Sequence, residues 1–151
     1  MQTRRQTLKQ GTALAGVLAA GALLPTQAWA LNKTAFEAKN VADAVKAFGG
    51  GALTESKDVT IQGPDIAENG AVVPLGAATT LAGIKHMLIL VEKNPSALVA
   101  MFNVSDAVVP NFGTRAKMGQ SSDVYAVAIT NDGKALFAKK EVKVTLGGCG
   151  G

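Results

Sequence analysis

VYAVAITNDGKALFAKKEVKVTL, Val124 to Leu146, carries two runs of β-branched, aromatic and small apolar residues around a four-residue interruption. The interruption, Asn131-Asp132-Gly133-Lys134, contains the Asp-Gly pair that readily supplies the positive φ angle of a tight hairpin turn. The last part, Glu141-Val142-Lys143-Val144-Thr145-Leu146, alternates charged or polar with apolar residues at a period of two, the signature of a strand with one buried face. A hairpin of Val124–Thr130 and Ala135–Leu146 follows.

Working towards the N-terminus, short strands are expected at Asp58–Gln62, at Ala71–Leu75 after an Asn69-Gly70 turn, at Ile84–Val91, at Leu98–Val104 and at Thr114–Met118. Six or seven short strands with turn chemistry between them predict an antiparallel β-sandwich. No β-α-β alternation points to a Rossmann or thioredoxin-like sheet. One amphipathic helix is expected at about 35–48, with Thr34 as N-cap, Glu37 closing a capping box, and Gly49-Gly50-Gly51 ending it. In Ile84–Val91 (IKHMLILV), Ile84, His86, Leu88 and Leu90 share one face, and Lys85, Met87, Ile89 and Val91 the other. Both faces are mostly apolar, so both should be covered. The expected cover for Met87, Ile89 and Val91 is the N-terminal helix or a second subunit.

Residues 1–30 have the three parts of an export signal: a charged start with Arg4, Arg5 and Lys9, an apolar core from about Gly11 to Leu24, and Ala28-Trp29-Ala30. The paired arginines before a Gly/Ala-rich core resemble the twin-arginine type, with Thr7 where that motif usually carries Phe. The core is shorter than the ~20 residues of a spanning helix, so cleavage after Ala30 is expected rather than anchoring. The formal net charge is +4. Losing those three cations leaves 12 basic residues against 11 acidic ones, or +1. That removes the electrostatic case for nucleic-acid binding. The expected organisation is a signal over 1–30, a helix and sandwich over 31–146, and an arm over 147–151.

The single cysteine, Cys149, lies in Leu146-Gly147-Gly148-Cys149-Gly150-Gly151. One cysteine excludes an internal disulfide, and two glycines on each side offer nothing to bury the thiol against. Three residues beyond Leu146 span at most about 10 Å, so Cys149 should project past the end of the sandwich on a thin, flexible glycine arm. A free thiol ionises near pH 8.5, and nothing in the flanking residues activates it. Prenylation fails on position, as only two residues follow the cysteine. The one histidine, His86, reads as a strand residue packed or hydrogen-bonded in place rather than a ligand. Asp132 with Lys134, the Lys139-Lys140-Glu141 run, and the alternating Arg115 and Lys117 read as solvated charges. No self-contained catalytic or metal site emerges. A thiol on a thin arm has the design of a carrier whose reactivity is supplied by the enzyme that receives it.

With its twin-arginine-type signal, β-rich body and terminal Gly-Gly-Cys-Gly-Gly, the chain resembles the Y subunit of the bacterial sulfur-oxidising (Sox) system, over essentially its whole length. The resemblance implies an immunoglobulin-like sandwich in the periplasm, paired with a smaller, SoxZ-like β-sandwich subunit. It implies that Cys149 carries thiosulfate and its oxidation intermediates covalently, with Gly147, Gly148, Gly150 and Gly151 forming the arm. The implied partners are a c-type cytochrome that couples thiosulfate to the thiol and a manganese-dependent hydrolase that releases sulfate. A sulfur dehydrogenase is a further one. Haem and manganese belong to those partners, and the chain is expected to hold no cofactor and to be no enzyme itself. Two other readings remain open at this point. One is a thiocarboxylate carrier of the ubiquitin-like kind, against which the export signal and the idle Cys149 argue. The other is an exported structural sandwich using Cys149 for an intermolecular disulfide.

Overall fold

The computed structural model describes residues 32–145. The export segment with Arg4 and Arg5, and the arm with Gly147, Gly148, Cys149, Gly150 and Gly151, lie outside the described residues. Among the described residues there are two short helices, α1 (Lys33–Glu37) and α2 (Val41–Ala47). The strands are β1 (Leu53–Glu55), β2 (Val59–Gln62), β3 (Ile66–Ala67), β4 (Val73–Thr79), β5 (Ile84–Val91), β6 (Leu98–Asn103), β7 (Asn111–Ala116), β8 (Ser122–Thr130) and β9 (Ala135–Val144). One sheet runs β1-β9-β8-β5-β6, with β3 also paired to β9; the other runs β2-β4-β7. The two sheets form a sandwich.

The hairpin that the Asp-Gly pair predicts joins β8 to β9. Gly133 takes φ +83°, and the Thr130 amide donates to the Lys134 carbonyl at 3.0 Å. The sandwich is not wholly antiparallel. β1 and β3 both run parallel to β9, through Leu53↔Ala135 and Ile66↔Lys143 among other pairs. These two strands, of three and two residues, are too short to carry a periodic signal. Asn69 makes the expected turn, its side-chain oxygen accepting from the Ala71 amide at 2.9 Å. The strand after it begins at Val73 rather than Ala71 and continues to Thr79.

The helix expected over 35–48 is two helices, and Thr34 is not a cap. Asn32 caps α1, accepting from the Ala35 amide at 3.2 Å; Asn40 caps α2, accepting from the Asp43 amide at 2.8 Å. Between them Ala38 is extended, and its carbonyl accepts from the Ala97 amide at 3.0 Å. An asparagine cap competes with helix continuation wherever its side chain can reach the next turn's free amides. Glu37 pairs with Lys33 instead of closing a capping box. The glycines do end α2 as expected: Gly49 takes φ +77°, and the Gly50 amide returns to the Val45 carbonyl at 3.0 Å.

Burial divides into two cores that share β5 and β8. Met87, Ile89, Val91, Val124, Ala126 and Ala128 face the gap between the sheets, with Val73, Leu75 and Ala77 opposite. Leu88, Leu90, Val127 and Ile129 face outward and are covered by Ala35, Val41, Ala44 and Val45 of the helices. The two-sided strand therefore reads correctly as covered on both faces, but the assignment of its covers is reversed. Met87, Ile89 and Val91 are fully buried between the sheets, so they are not a seat for a second subunit. The helices cover the Leu88/Leu90 face. Register shifts between Ile84 and His86, which moves Ile84 into the inter-sheet core with Met87.

His86 sits half-buried beside the Phe48 ring, with centroids 5.6 Å apart. Its Nδ1 is buried without a hydrogen-bond partner. Burial pushes the imidazole below its ordinary value, against a hydrogen bond to Asn103 that favours the cation, and the Lys85 charge adds to the depression. The native state thus resists a proton that the unfolded chain takes up near pH 6.5. Stability should fall as pH drops from 6.5 towards the carboxylate range, because the unfolded state binds more protons there. His86→Gln should flatten that part of a Tm-against-pH curve.

Candidate functional site

Cys149 lies beyond the described residues, so the site visible here is its base, the end of β9. Along β9 the alternation holds. Leu136, Ala138, Val142 and Val144 pack on the inter-sheet core, Ala135 and Phe137 on the helix side, and Lys139, Glu141 and Lys143 face solvent. Lys140 falls in the inward register near the sheet margin. Its stem crosses to the 63–65 segment, where Nζ donates to the Gly63 carbonyl at 2.7 Å and pairs with Asp65 at 2.9 Å. The hydrogen bond and the charge of Lys140 hold the Asp65 carboxyl below its ordinary value. This lysine ties β9 to the loop between β2 and β3 rather than being a merely solvated charge.

Lys140 thus meets the segment that leads into β3, and β3 pairs with the end of β9. The Lys143 amide donates to the Asp65 carbonyl at 3.0 Å and the Thr145 amide to the Ala67 carbonyl at 3.1 Å. On the other edge, the Val144 amide donates to Ser121 Oγ at 2.9 Å. Gly70 closes the socket: its carbonyl accepts from the Met118 amide at 2.7 Å. A Cβ built on Gly70 would lie 2.4 Å from the Met118 carbonyl oxygen and 2.8 Å from a Val144 methyl. Three consecutive amides at the end of β9 are therefore all bonded. These bonds hold the chain as far as Thr145, and no more than about 14 Å of extended chain can separate the Cα atoms of Thr145 and Cys149.

The other residues singled out in the sequence do not converge on this exit. Asp132 pairs with Lys134 at 2.8 Å in the hairpin at the far end of β9. The hydrogen bonds from Lys134 and Thr130 hold the Asp132 carboxyl down at about 2. Lys139 pairs with Asp123 at 2.9 Å. Arg115 is exposed on β7 and borders an open groove of about 810 Å³ on the outer face of the three-stranded sheet, with Gln62, Pro64, Pro74, Gly76 and Gly113. Among the described residues no three of His, Cys, Asp and Glu come together as a metal site. Asp65, Ala67, Gly70 and Ser121, which build the exit, were not legible as site residues. Gly70 alone had a local signal, as half of an Asn-Gly turn.

The fold defines a class: an immunoglobulin-like β-sandwich whose strand β9 is hydrogen-bonded through to Thr145. The family model described as "Sulfur oxidation protein SoxY" matches residues 44–149. The structure is similar to that of the sulfur carrier protein SoxY from Chlorobium limicola f thiosulfatophilum, with 36% identity and a TM-score of 0.63, covering 70% of this chain and 96% of that one. The chain belongs to the SoxY family. Comparison with curated protein sequences gives no match. A superoxide reductase (neelaredoxin) from Ignicoccus hospitalis shares the fold, with 17% identity, a TM-score of 0.51, and coverage of 58% of this chain and 80% of that one. A putative superoxide reductase from Thermotoga maritima does so with 13% identity, a TM-score of 0.51, and coverage of 62% and 94%.

Gly70→Ala should test the socket. The backbone oxygen of Met118 cannot yield cheaply, so the variant should lose about 1–3 kcal/mol of stability. Gly119→Ala, where an added Cβ meets nothing within 4 Å, should be close to neutral in the same denaturant titration.

Proposed function

We propose that this chain is the covalent carrier of a periplasmic thiosulfate-oxidising system, holding thiosulfate and its oxidation intermediates on Cys149. The observation that carries the reading is the membership in the SoxY family over residues 44–149, a match that includes Cys149. The similar Chlorobium protein is a sulfur carrier. The bonded exit at Thr145 supports the reading, because a carrier needs a fixed base from which its thiol is presented.

In the first step the Cys149 thiol loses its proton and its sulfur bonds to the terminal sulfur of thiosulfate, giving Cys–S–S–SO₃⁻. Two electrons leave, passed one at a time to a c-type cytochrome partner whose haem iron accepts one electron at each transfer. In the second, water attacks the sulfonate sulfur at a manganese-dependent hydrolase. Sulfate departs, two protons are released, and a persulfide anion stays on Cys149. A sulfur dehydrogenase is the further partner for that persulfide. The carrier needs no cofactor in this scheme and catalyses neither step. Gly147, Gly148, Gly150 and Gly151 keep the arm thin enough for an enzyme channel. Arg4 and Arg5 direct export by the twin-arginine route, with cleavage after Ala30.

The companion subunit in this reading is a SoxZ-like β-sandwich. Because Met87 and Ile89 are enclosed, its seat must lie elsewhere. Strands β6 and β7 end their sheets on one side of the sandwich, where the half-buried Phe102 and Phe112 rings stack with centroids 4.4 Å apart. That margin is the surface we assign to it.

Mass spectrometry of the native protein should find sulfur-containing adducts on Cys149. Cys149→Ser should abolish thiosulfate-dependent electron transfer to the cytochrome while leaving Tm and heterodimer unchanged. Gly148→Val and Gly150→Val should keep thiol reactivity towards a small reagent and lose enzymatic turnover, because a β-branched side chain stiffens and thickens the arm. Disulfide-linked dimers without any sulfur adduct would instead favour a structural sandwich.

A further inference from the structure

Neither the helix layer nor His86 has a part in the carrier chemistry, and the two meet. Helices α1 and α2, of five and seven residues, are too short to persist alone. They are held through their own core with Leu88, Leu90, Val127 and Ile129, which is separate from the core between the sheets. A few polar ties add to it. The Ala97 amide donates to the Ala38 carbonyl at 3.0 Å and the Gly51 amide to the Gly133 carbonyl at 2.8 Å. Ser96 Oγ donates to the Phe36 carbonyl at 2.5 Å. A layer with its own core and few ties can open while the inter-sheet core stays closed.

His86 stands where the C-terminal end of α2 meets β5. Phe48, the C-cap of α2, sets its ring against the imidazole, and Nδ1 is buried without a hydrogen-bond partner. A neutral imidazole carries one N–H, whereas the cation carries a donor on both nitrogens, and an unpaired buried donor is costlier when charged. The elements packed against the ring bring it no counter-charge. On α2, Asp43 is bonded to Asn40 and Lys46 lies in the last turn. On β5 the neighbouring charge is Lys85, which opposes the cation. β6 has no charged residue and places Asn103 opposite the ring, while β8 places Ile129 there. Asp132 and Lys134 of the β8–β9 hairpin pair with each other. No carboxylate among the described residues forms an ion pair with the ring.

We propose that His86 is an acid-sensitive latch: once protonated it parts from the Phe48 ring, and the α1–α2 layer lifts from the Leu88/Leu90 face. With the layer lifted the ring meets water and titrates near its ordinary 6.5, whereas burial holds it lower in the closed state. The lifted state therefore binds more protons below pH 6.5. Opening grows more frequent as pH falls, by no more than about tenfold between pH 7.5 and pH 5.5 for a single proton. The latch stands on the fold alone. The carrier reading adds only a source of acid, the protons released with sulfate, and its failure leaves the latch untouched.

Native-state amide exchange on the full mature protein, with an NMR titration of its single histidine, tests this. His86 should titrate below pH 6.5. The Phe48, Gly50 and Ala97 amides should be at least tenfold less protected than that of Ala126, which lies in mid-β8 between two paired strands. Their protection factors should fall three- to tenfold from pH 7.5 to pH 5.5. His86→Phe, which keeps a ring beside Phe48 and takes no proton, should abolish that fall, and His86→Gln should do the same. Protection at the helix amides equal to that of Ala126 means that the layer opens only with the whole sandwich, which overturns the latch. A fall that persists in both variants, or a histidine that titrates at or above pH 6.5, overturns it as well.

Discussion

Strand β9 is the constraint on which the rest depends. It pairs with β8 along eight register positions, Ala135 to Val142, and it is held again at both ends of its other edge, by β1 at Ala135–Phe137 and by β3 at Lys143–Val144. A terminal strand held on one edge alone would fray over its last residues. Here the last turn of the ladder is completed by the Asp65 and Ala67 carbonyls and the Ser121 hydroxyl. Order therefore runs to Thr145.

The larger sheet is buried on both faces in its middle. β5 and β8 present apolar side chains in both directions, and the sandwich alone would leave Leu88, Leu90, Val127 and Ile129 wet. The two short helices remove that face from water. Neither helix is long enough to be stable by itself, and they persist through packing of their apolar sides. Their role in this molecule is to let the central strands be two-sided without a partner protein covering them.

The strands and the hairpin were legible because their signals are local. Asp132-Gly133 sets a turn, Ile84–Val91 is a strand to the residue, and the alternation of β9 names its buried face. The helix region was misread because Thr34 and Glu37 imitate a capping box, whereas Asn32 and Asn40 win the competition for the free amides. The face assignment of Met87 and Ile89 failed because periodicity gives two faces but not which sheet lies over each. The base of the arm was illegible for a different reason. Asp65, Ala67 and Ser121 meet β9 only through contacts of long sequence separation, and β3 is too short to show a period. Cys149 was the opposite case: its position among glycines marked it from the residues alone, and the family match covers it.

The central claim is that hydrogen bonding holds β9 in order through to Thr145. Native-state amide hydrogen exchange measures this directly. The account predicts that the amides of Lys143, Val144 and Thr145 exchange on the order of 10³-fold more slowly than an unstructured chain, as a local opening free energy of about 4 kcal/mol gives. Exchange of all three at unstructured rates, with protection beginning only at Val142, would contradict it. The bonded ladder would then end inside β9 instead of at Thr145.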